Sequence, residues 1–197
     1  MFLCLMPALV NAQSKFGLKS GINLSDVSLK KSGDSAPNLV ETESVIGFHF
    51  GGMLQKDLSS RLSLQTELLY NLKGVTTKNN TNTESKERYH YLSLPVMMGL
   101  SIIKPVKVQA GLELSYLLAN SISNSPILRI LDEDRKLDIG FLIGTEISIS
   151  EKWGLHARYT FGLTPLTDLA VFDQASFPEV EYSWFNQAGQ LSLFYRL

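Results

Sequence analysis

The sequence lacks any long uninterrupted apolar run beyond its first ten residues. A helix that crosses a bilayer needs about 20 consecutive apolar residues, so a helical membrane protein is excluded. Charge of one sign is also missing, because 18 lysines and arginines face 19 aspartates and glutamates, with a formal net charge of −1. The balanced charge therefore produces no long-range electrostatic attraction for nucleic acid, and no nucleic-acid partner is expected.

Cysteine is nearly absent, and the single one, Cys4, lies in the apolar segment at the N-terminus. We interpret residues 1–12 as a signal peptide, because the stretch Met1–Val10 followed by Asn11 and Ala12 is typical of an h-region and cleavage site. The usual basic n-region is missing, which indicates a truncated start; the alternative is a buried N-terminal strand. Residues 13–197 are then one domain without a disulfide or thiol chemistry.

What the chain has in quantity is alternation of apolar and polar residues. The stretch 61–75 shows it best, since the apolar residues and one threonine at positions 62, 64, 66, 68, 70 and 72 alternate with largely polar ones. Side chains alternate between the two faces of a strand, so one face of this segment is apolar and the other is polar. The stretch 153–163 repeats the pattern, and no helical period of comparable length competes with it.

Eight such segments are predicted as strands, joined alternately by long polar loops and short turns. The predicted strands are Lys15–Ser25, Ser44–Lys56, Arg61–Val75, Arg88–Ser101, Val106–Ala119, Lys136–Ser150, Trp153–Leu163 and Trp184–Leu197. The long loops are Asp26–Glu43, Thr76–Glu87, Asn120–Arg135 and Thr164–Ser183, and the short turns are Asp57–Ser60, Ile103–Pro105 and Glu151–Lys152. These strands are long enough for a tilted crossing of a bilayer. The pattern predicts an all-β, eight-stranded antiparallel up-and-down transmembrane β-barrel of OmpA/OmpX-like size in the bacterial outer membrane.

Two further features concern the strands themselves. Aromatic residues cluster near the strand ends, which predicts girdles at the two membrane interfaces. The residues at the long-loop ends are Tyr70, Tyr89, Tyr91, Tyr116, Tyr159, Phe161, Trp184 and Phe185, and those at the other end are Phe16, Trp153 and Tyr195. Pro95 lies in the middle of a predicted strand, where proline removes a ladder bond, so we expect a bulge at Leu94–Pro95.

Charged residues fall at the inward phase of several predicted strands. They are Glu67, Glu113, Glu146, Lys19, Lys73, Lys107, Arg158 and Arg196. An eight-stranded barrel is just wide enough for side chains to fill it, and buried charges need partners. We therefore expect an interior ion-pair network that fills the lumen and leaves no open pore; the alternative is an ion pathway or a catalytic carboxylate pair.

Catalytic and metal sites are not predicted, and no cofactor is expected. A Ser–His–acid site would have to join His156 to Ser148 or Glu146, while His90 near the outer rim is the other candidate for lipid processing; His49 completes the histidines. No Gly-x-Ser-x-Gly elbow and no metal-ligand spacing is present. The acidic run 132–134 is interpreted as a solvated loop rather than a cation site.

Several motifs, taken in order, resemble the PorT-like outer-membrane β-barrel family of Bacteroidetes. They are Phe16–Ser25, Ser63–Tyr70 with Lys73 and Gly74, Tyr91–Pro95, Asp138–Gly140 and Arg158–Thr164. The resemblance covers nearly the whole mature chain and implies an exported barrel, with protein secretion as the process of its better-known members. One departure is the C-terminus, where such barrels commonly end on an aromatic residue and this chain ends on Leu197.

These observations predict a non-enzymatic barrel of structural or interaction type, with support of secretion or envelope assembly as its expected role. Its expected partners are membrane lipid or lipopolysaccharide and, through the long loops, other envelope proteins; a monomer is expected. The loops Asp26–Glu43 and Thr164–Ser183 are the predicted contact surfaces. The alternatives are a lipid-modifying outer-membrane enzyme and a soluble lipocalin-like barrel, whose pattern would be apolar inside and polar outside.

Overall fold

The structure, a computed structural model, describes residues 14–31, 41–78, 84–123, 135–172 and 179–197. The predicted signal peptide at 1–12 and the acidic run at 132–134 lie outside these residues. No helix in the described ranges is long and apolar enough to cross a membrane.

Eight antiparallel strands close into one barrel. They are β1 (Ser14–Lys31), β2 (Glu41–Asp57), β3 (Leu62–Lys78), β4 (Glu84–Ile103), β5 (Val106–Ser123), β6 (Leu137–Ser148), β7 (Trp153–Phe172) and β8 (Glu179–Arg196). Each strand pairs with its neighbours in sequence, and β1 also pairs with β8. This closure confirms the predicted fold class and strand order.

The two ends of the barrel differ in their connections. One end, the turn end, carries Ser14, Leu197 and the three tight connections after β2, β4 and β6, all at the predicted places. The turn after β4 contains a cis peptide bond between Lys104 and Pro105. The other end, the loop end, carries the remaining four connections.

From the turn end upward, the outer surface of the barrel is apolar and the interior is polar. Residues such as Phe16, Leu18, Ile22 and Leu24 on β1 are more than half exposed on the outside. Their neighbours in sequence, including Lys19 and Asn23, are buried in the lumen. We call this part, up to the last outward apolar residues, the lower barrel. A soluble lipocalin-like barrel would show the reverse pattern here, so that alternative is wrong.

The strands continue past this apolar surface into segments that the sequence predicted as loops. β1 runs on to Lys31, β7 to Phe172, and β8 begins at Glu179, so much of the predicted loops Asp26–Glu43 and Thr164–Ser183 is paired sheet. We call these extensions the upper barrel. Its outer face carries polar residues that include Asp26, Ser28, Lys30, Glu43, Lys78, Lys86 and Arg88. Side-chain hydrogen bonds to Glu43 and Glu84 raise the pKa of Lys78 there.

Irregular pairing marks the boundary between the lower and the upper barrel. The register shifts between Ser44 and His49 on β2, between His90 and Tyr91 on β4, and between Phe161 and Thr167 on β7. Bulges increase the local twist and re-aim side chains at barrel rims. The sheet therefore changes course where its surroundings change from apolar to polar.

Pro95 is accommodated without the predicted bulge. The β4–β5 ladder passes through Leu94 and Pro95 in constant register. On the other side, the β3–β4 ladder pairs Thr66 with Val96 and then Leu69 with Ser93, so two pairs are missing while the register is kept. The expected bulge at Leu94–Pro95 is therefore wrong, because the sheet gives up pairing toward β3 instead of inserting a residue.

Candidate functional site

The interior of the lower barrel holds a network of ion pairs, and its first centre is Glu67 on β3. This carboxylate lies within 3.1 Å of the Lys19 ammonium and within 2.7 Å of the Arg158 guanidinium. Gln65 donates a further hydrogen bond to it at 2.6 Å. The Glu67 and Lys19 side chains are fully buried and that of Arg158 nearly so. A buried carboxylate of this kind is tolerated only because two cations and an amide satisfy its oxygens.

The second centre is Glu146 on β6, nearer to the turn end. Its carboxylate contacts the Lys107 ammonium and His156 Nε2, each at 3.2 Å, and the Arg196 guanidinium. Gln109 connects the two centres, since its amide donates to Gln65 at 3.0 Å and to Glu146 at 3.2 Å. The interior of the lower barrel is thus crossed by one continuous set of charge-assisted hydrogen bonds.

A third pair lies higher in the lumen, where Lys73 donates to Glu113 at 2.8 Å. Ser115 also donates to Glu113, and Ser93 contacts Ser115 at 2.8 Å. The Lys73 ammonium stands 5.5 Å above the ring centre of Tyr91. All the charged residues that the sequence placed inside the barrel are therefore inside and paired, as predicted: Lys19, Glu67, Lys73, Lys107, Glu113, Glu146, Arg158 and Arg196.

The interior of the upper barrel is apolar and aromatic instead. A buried cluster, which we call the aromatic plug, consists of Val27, Val75, Tyr89, Tyr91, Leu117, Leu166, Tyr182 and Trp184. The prediction that Tyr89, Tyr91 and Trp184 belong to an outer girdle is therefore wrong. Their phase along β4 and β8 points inward, so their rings pack inside the barrel and are almost fully buried. The outward girdle residues Phe16, Tyr116, Trp153, Tyr159 and Phe161 are exposed as predicted.

The polar atoms of the aromatic plug differ in whether they have a hydrogen-bond partner. Tyr89 donates its hydroxyl hydrogen to Glu87 at 2.6 Å. In the described part of the chain, the Tyr91 hydroxyl and Trp184 Nε1 are buried and have no hydrogen-bond partner. Two neighbouring tyrosines on the same face of β4 thus differ in whether the hydroxyl group has a hydrogen-bond partner. Replacing each by phenylalanine therefore compares the loss of a bonded hydroxyl group with the loss of an unbonded one.

The histidines do not assemble the catalytic arrangement weighed from the sequence. His156 Nε2 contacts Glu146, and its ring packs against Phe194 at 4.5 Å between centroids. Ser148 Oγ lies 3.5 Å from Glu146 Oε1, the oxygen that does not contact His156, and 3.5 Å from the Arg196 guanidinium. His90 Nδ1 takes part in a hydrogen bond with the Tyr70 hydroxyl on the outer face. The geometry therefore gives His156 the role of one more hydrogen-bonding partner of Glu146.

A different serine–histidine pair forms that the sequence did not suggest. His49 Nε2 on β2 lies 2.8 Å from Ser192 Oγ on β8, across the intervening strand β1. The contact is possible because Gly21 stands between them, and a Cβ there would lie 2.9 Å from the His49 ring. In the described residues, His49 Nδ1 has no partner, so no carboxylate completes a triad. The sequence alone gives no signal for this pair, because Gly21 lies between His49 and Ser192 only in the registers of the closed sheet.

Metal ligation has no candidate within the described ranges, where no group of three or more histidine, cysteine or carboxylate side chains could hold an ion. The described interior is thus built from ion pairs, amides and hydroxyls in the lower barrel, and from aromatic rings together with buried polar side chains such as Glu87, Ser85 and Thr77 in the upper barrel.

Comparisons with known proteins agree with this architecture. Residues 11–168 match the family model described as an outer membrane protein beta-barrel domain. The outer membrane protein OprG from Pseudomonas aeruginosa is similar in structure, with a TM-score of 0.53 and 9% identity over 94% of this chain and 97% of that one. The outer membrane protein AlkL, solved in lipid bilayers, gives a TM-score of 0.52 and 15% identity over 94% and 90% of the two chains. No curated protein matches the sequence. At these identities the structural likeness shows the fold alone.

Proposed function

Because the chain belongs to the outer membrane protein β-barrel domain family and lies in the bacterial outer membrane, we propose that it is a closed, non-enzymatic barrel that presents its upper part to partners outside the cell. In barrels of this class the short turns face the periplasm and the long connections face outward. The turn end is therefore periplasmic, and the upper barrel stands above the outer leaflet.

The observation that carries the proposal is that side chains cross the lumen at two levels. The Glu67 and Glu146 centres occupy the lower barrel, and the aromatic plug occupies the upper barrel. Moving an ion through this interior would require breaking buried pairs, and each broken pair leaves an uncompensated charge. A barrel filled in this way supports attachment and presentation better than passive transport.

The partners that we propose follow from the surface of the upper barrel. Lys86 and Arg88 lie on its outward face, and cationic side chains there would pair with lipopolysaccharide phosphates. The same face, as paired sheet, offers a rigid surface to other envelope proteins. The resemblance to the PorT-like family adds components of protein secretion to the partner classes that we propose, with the barrel acting as a monomer in the membrane.

Planar-bilayer recording tests the closed state. The purified barrel is expected to give no stable conductance steps, while a double variant that truncates the plug and the Glu67 centre, Trp184→Ala with Glu67→Ala, provides the opened comparison. Large, reproducible single-channel steps from the unaltered protein would contradict the proposal.

Site-specific photo-crosslinking in cells tests presentation with the same protein. A photoreactive residue at Lys86 on the upper barrel is expected to give discrete adducts with lipopolysaccharide or an envelope protein. The matched position is Met98, which faces outward from the lower barrel and is expected to crosslink only to lipid. Identical adduct patterns at both positions would show that the upper barrel is not the presenting surface.

A further inference from the structure

The periplasmic mouth of the barrel contains a basic pocket that the closed-barrel proposal does not use. It has a volume of about 640 Å³ and lies between the turn after β4, the turn after β6, the start of β1 and the end of β8. Four of its lining residues are cationic, namely Lys15, Lys104, Lys107 and Arg196. We call it the turn-end pocket. Its size lies within the range of small-molecule sites, about 300–1,000 Å³.

The carboxylates around the pocket do not neutralise its cations. Glu151 is the one carboxylate that lines it within the described residues. Lys15 is paired with Asp57 at 2.7 Å, and Lys107 and Arg196 share Glu146. Four cations therefore face three carboxylates, and Glu146 also has His156 as a partner. The excess positive charge belongs to Lys104, which is exposed at the tip of the turn after β4.

Arg196 supplies the buried part of the pocket. It is only 9% exposed, and its two terminal nitrogens contact Glu146 and the Glu151 carbonyl. Its Nε atom is buried and has no hydrogen-bond partner among the described residues. Ser101, Ser148 and Ser150 add three hydroxyl groups to the lining. Guanidinium, ammonium and hydroxyl groups thus line one cavity, and a phosphate group is bound by such groups because its oxygens accept many hydrogen bonds.

We propose that the turn-end pocket binds a phosphate group from the periplasmic side, with Lys104, Lys107 and Arg196 as its cationic contacts. Two sources offer this chemistry at that position: the head group of an inner-leaflet phospholipid and a soluble phosphate compound in the periplasm. The inference is independent of whether the lumen conducts or what the upper barrel contacts. Its failure would leave the closed-barrel proposal untouched, and the reverse also holds.

Calorimetric titration of the purified barrel with inorganic pyrophosphate, in phosphate-free detergent, tests the pocket. Saturable binding is expected, and Lys104→Gln is expected to weaken it about tenfold, the loss of one charge-assisted contact. Lys104 is exposed, so this variant folds as the unaltered protein does. The matched control is Lys152→Gln, the same charge change at the turn end outside the pocket lining, and it is expected to leave the affinity unchanged. Glu151→Gln is expected to tighten binding, because it removes a repelling carboxylate.

The source of the phosphate is distinguished by repeating the titration in nanodiscs. If phosphatidylglycerol in the nanodisc abolishes pyrophosphate binding while phosphatidylcholine alone does not, the occupant is a phospholipid head group. If both bilayers leave binding intact, the occupant is a soluble phosphate compound. Absence of saturable binding in detergent, equal weakening by Lys152→Gln and Lys104→Gln, or weaker binding by Glu151→Gln would each overturn the proposal.

Discussion

The lower and upper barrel are built from the same strands but follow opposite rules. In the lower barrel the exterior is apolar and the interior is held by ion pairs around Glu67 and Glu146. In the upper barrel the exterior is polar and the interior is the aromatic plug. The solvent outside each part explains the difference, because lipid surrounds one and water the other. The outward face of a strand can therefore change from apolar to polar partway along its length, while each side chain keeps its outward or inward direction.

The largest expected effect comes from the polar interior of the lower barrel. Glu67→Gln keeps the volume but leaves the buried Lys19 and Arg158 without their carboxylate, and such a loss costs about 3–5 kcal/mol. Denaturant unfolding of the barrel in lipid, followed by gel mobility, measures it. Glu43→Gln is the control, since it removes a carboxylate that pairs with Lys78 on the exposed upper face, and it is expected to change stability by no measurable amount. Equal stability of both variants would show that the interior pairs do not hold the lower barrel together.

A smaller effect is expected from a pair of isosteric exchanges between the two interiors. Val75→Thr places a hydroxyl group in the aromatic plug, where Val75 is fully buried, and should cost about 1–3 kcal/mol. Thr160→Val removes a hydroxyl group that is buried in the lower barrel without a partner among the described residues, and should be nearly neutral. Hydrogen exchange of β3 and β7 amides reports each change locally. If Val75→Thr also proved neutral, the plug would not be an apolar core in energetic terms.

The strand pattern was readable from the sequence, and the strand ends were not. Alternation places Lys19, Glu67, Lys73, Glu113 and Arg158 on the inward phase, and the structure confirms each one. The ends failed because the upper barrel is polar on its outer face, so the outward positions of segments such as 26–31 have the polar composition of a loop while the strand remains paired. The alternation in the sequence predicts which residues point inward, but the point where pairing stops depends on the neighbouring strand.

The errors at single residues have the same origin. Tyr89, Tyr91 and Trp184 were assigned to a girdle by their position near the strand ends, although their inward phase already separated them from Tyr116 and Phe161. The His49–Ser192 pair lay beyond prediction because it needs the register of β1 against both neighbours. Registers depend on the closed sheet as a whole, so contacts across an intervening strand appear only in the structure.

The smallest expected effect separates two neighbouring tyrosines within the plug. Tyr89→Phe loses a hydrogen bond to Glu87 and should destabilise the upper barrel by about 1–2 kcal/mol. Tyr91→Phe removes a hydroxyl group without a partner in the described residues and should have almost no effect on stability, or raise it slightly. Limited proteolysis of the outer connections, compared between the two variants, measures the difference. Equal protease sensitivity would mean that the Glu87 contact contributes nothing to the plug.

The continuation of β1, β4, β7 and β8 beyond the lipid has a consequence for how the cell surface is recognised. Residues 26–31, 84–91, 164–172 and 179–188 reach the outside as hydrogen-bonded sheet. An antibody or a bacteriophage receptor-binding protein that engages this region meets residues from adjacent strands side by side, and short synthetic peptides copied from it do not reproduce that arrangement. Its epitopes are thus conformational, and they persist only while the barrel is folded.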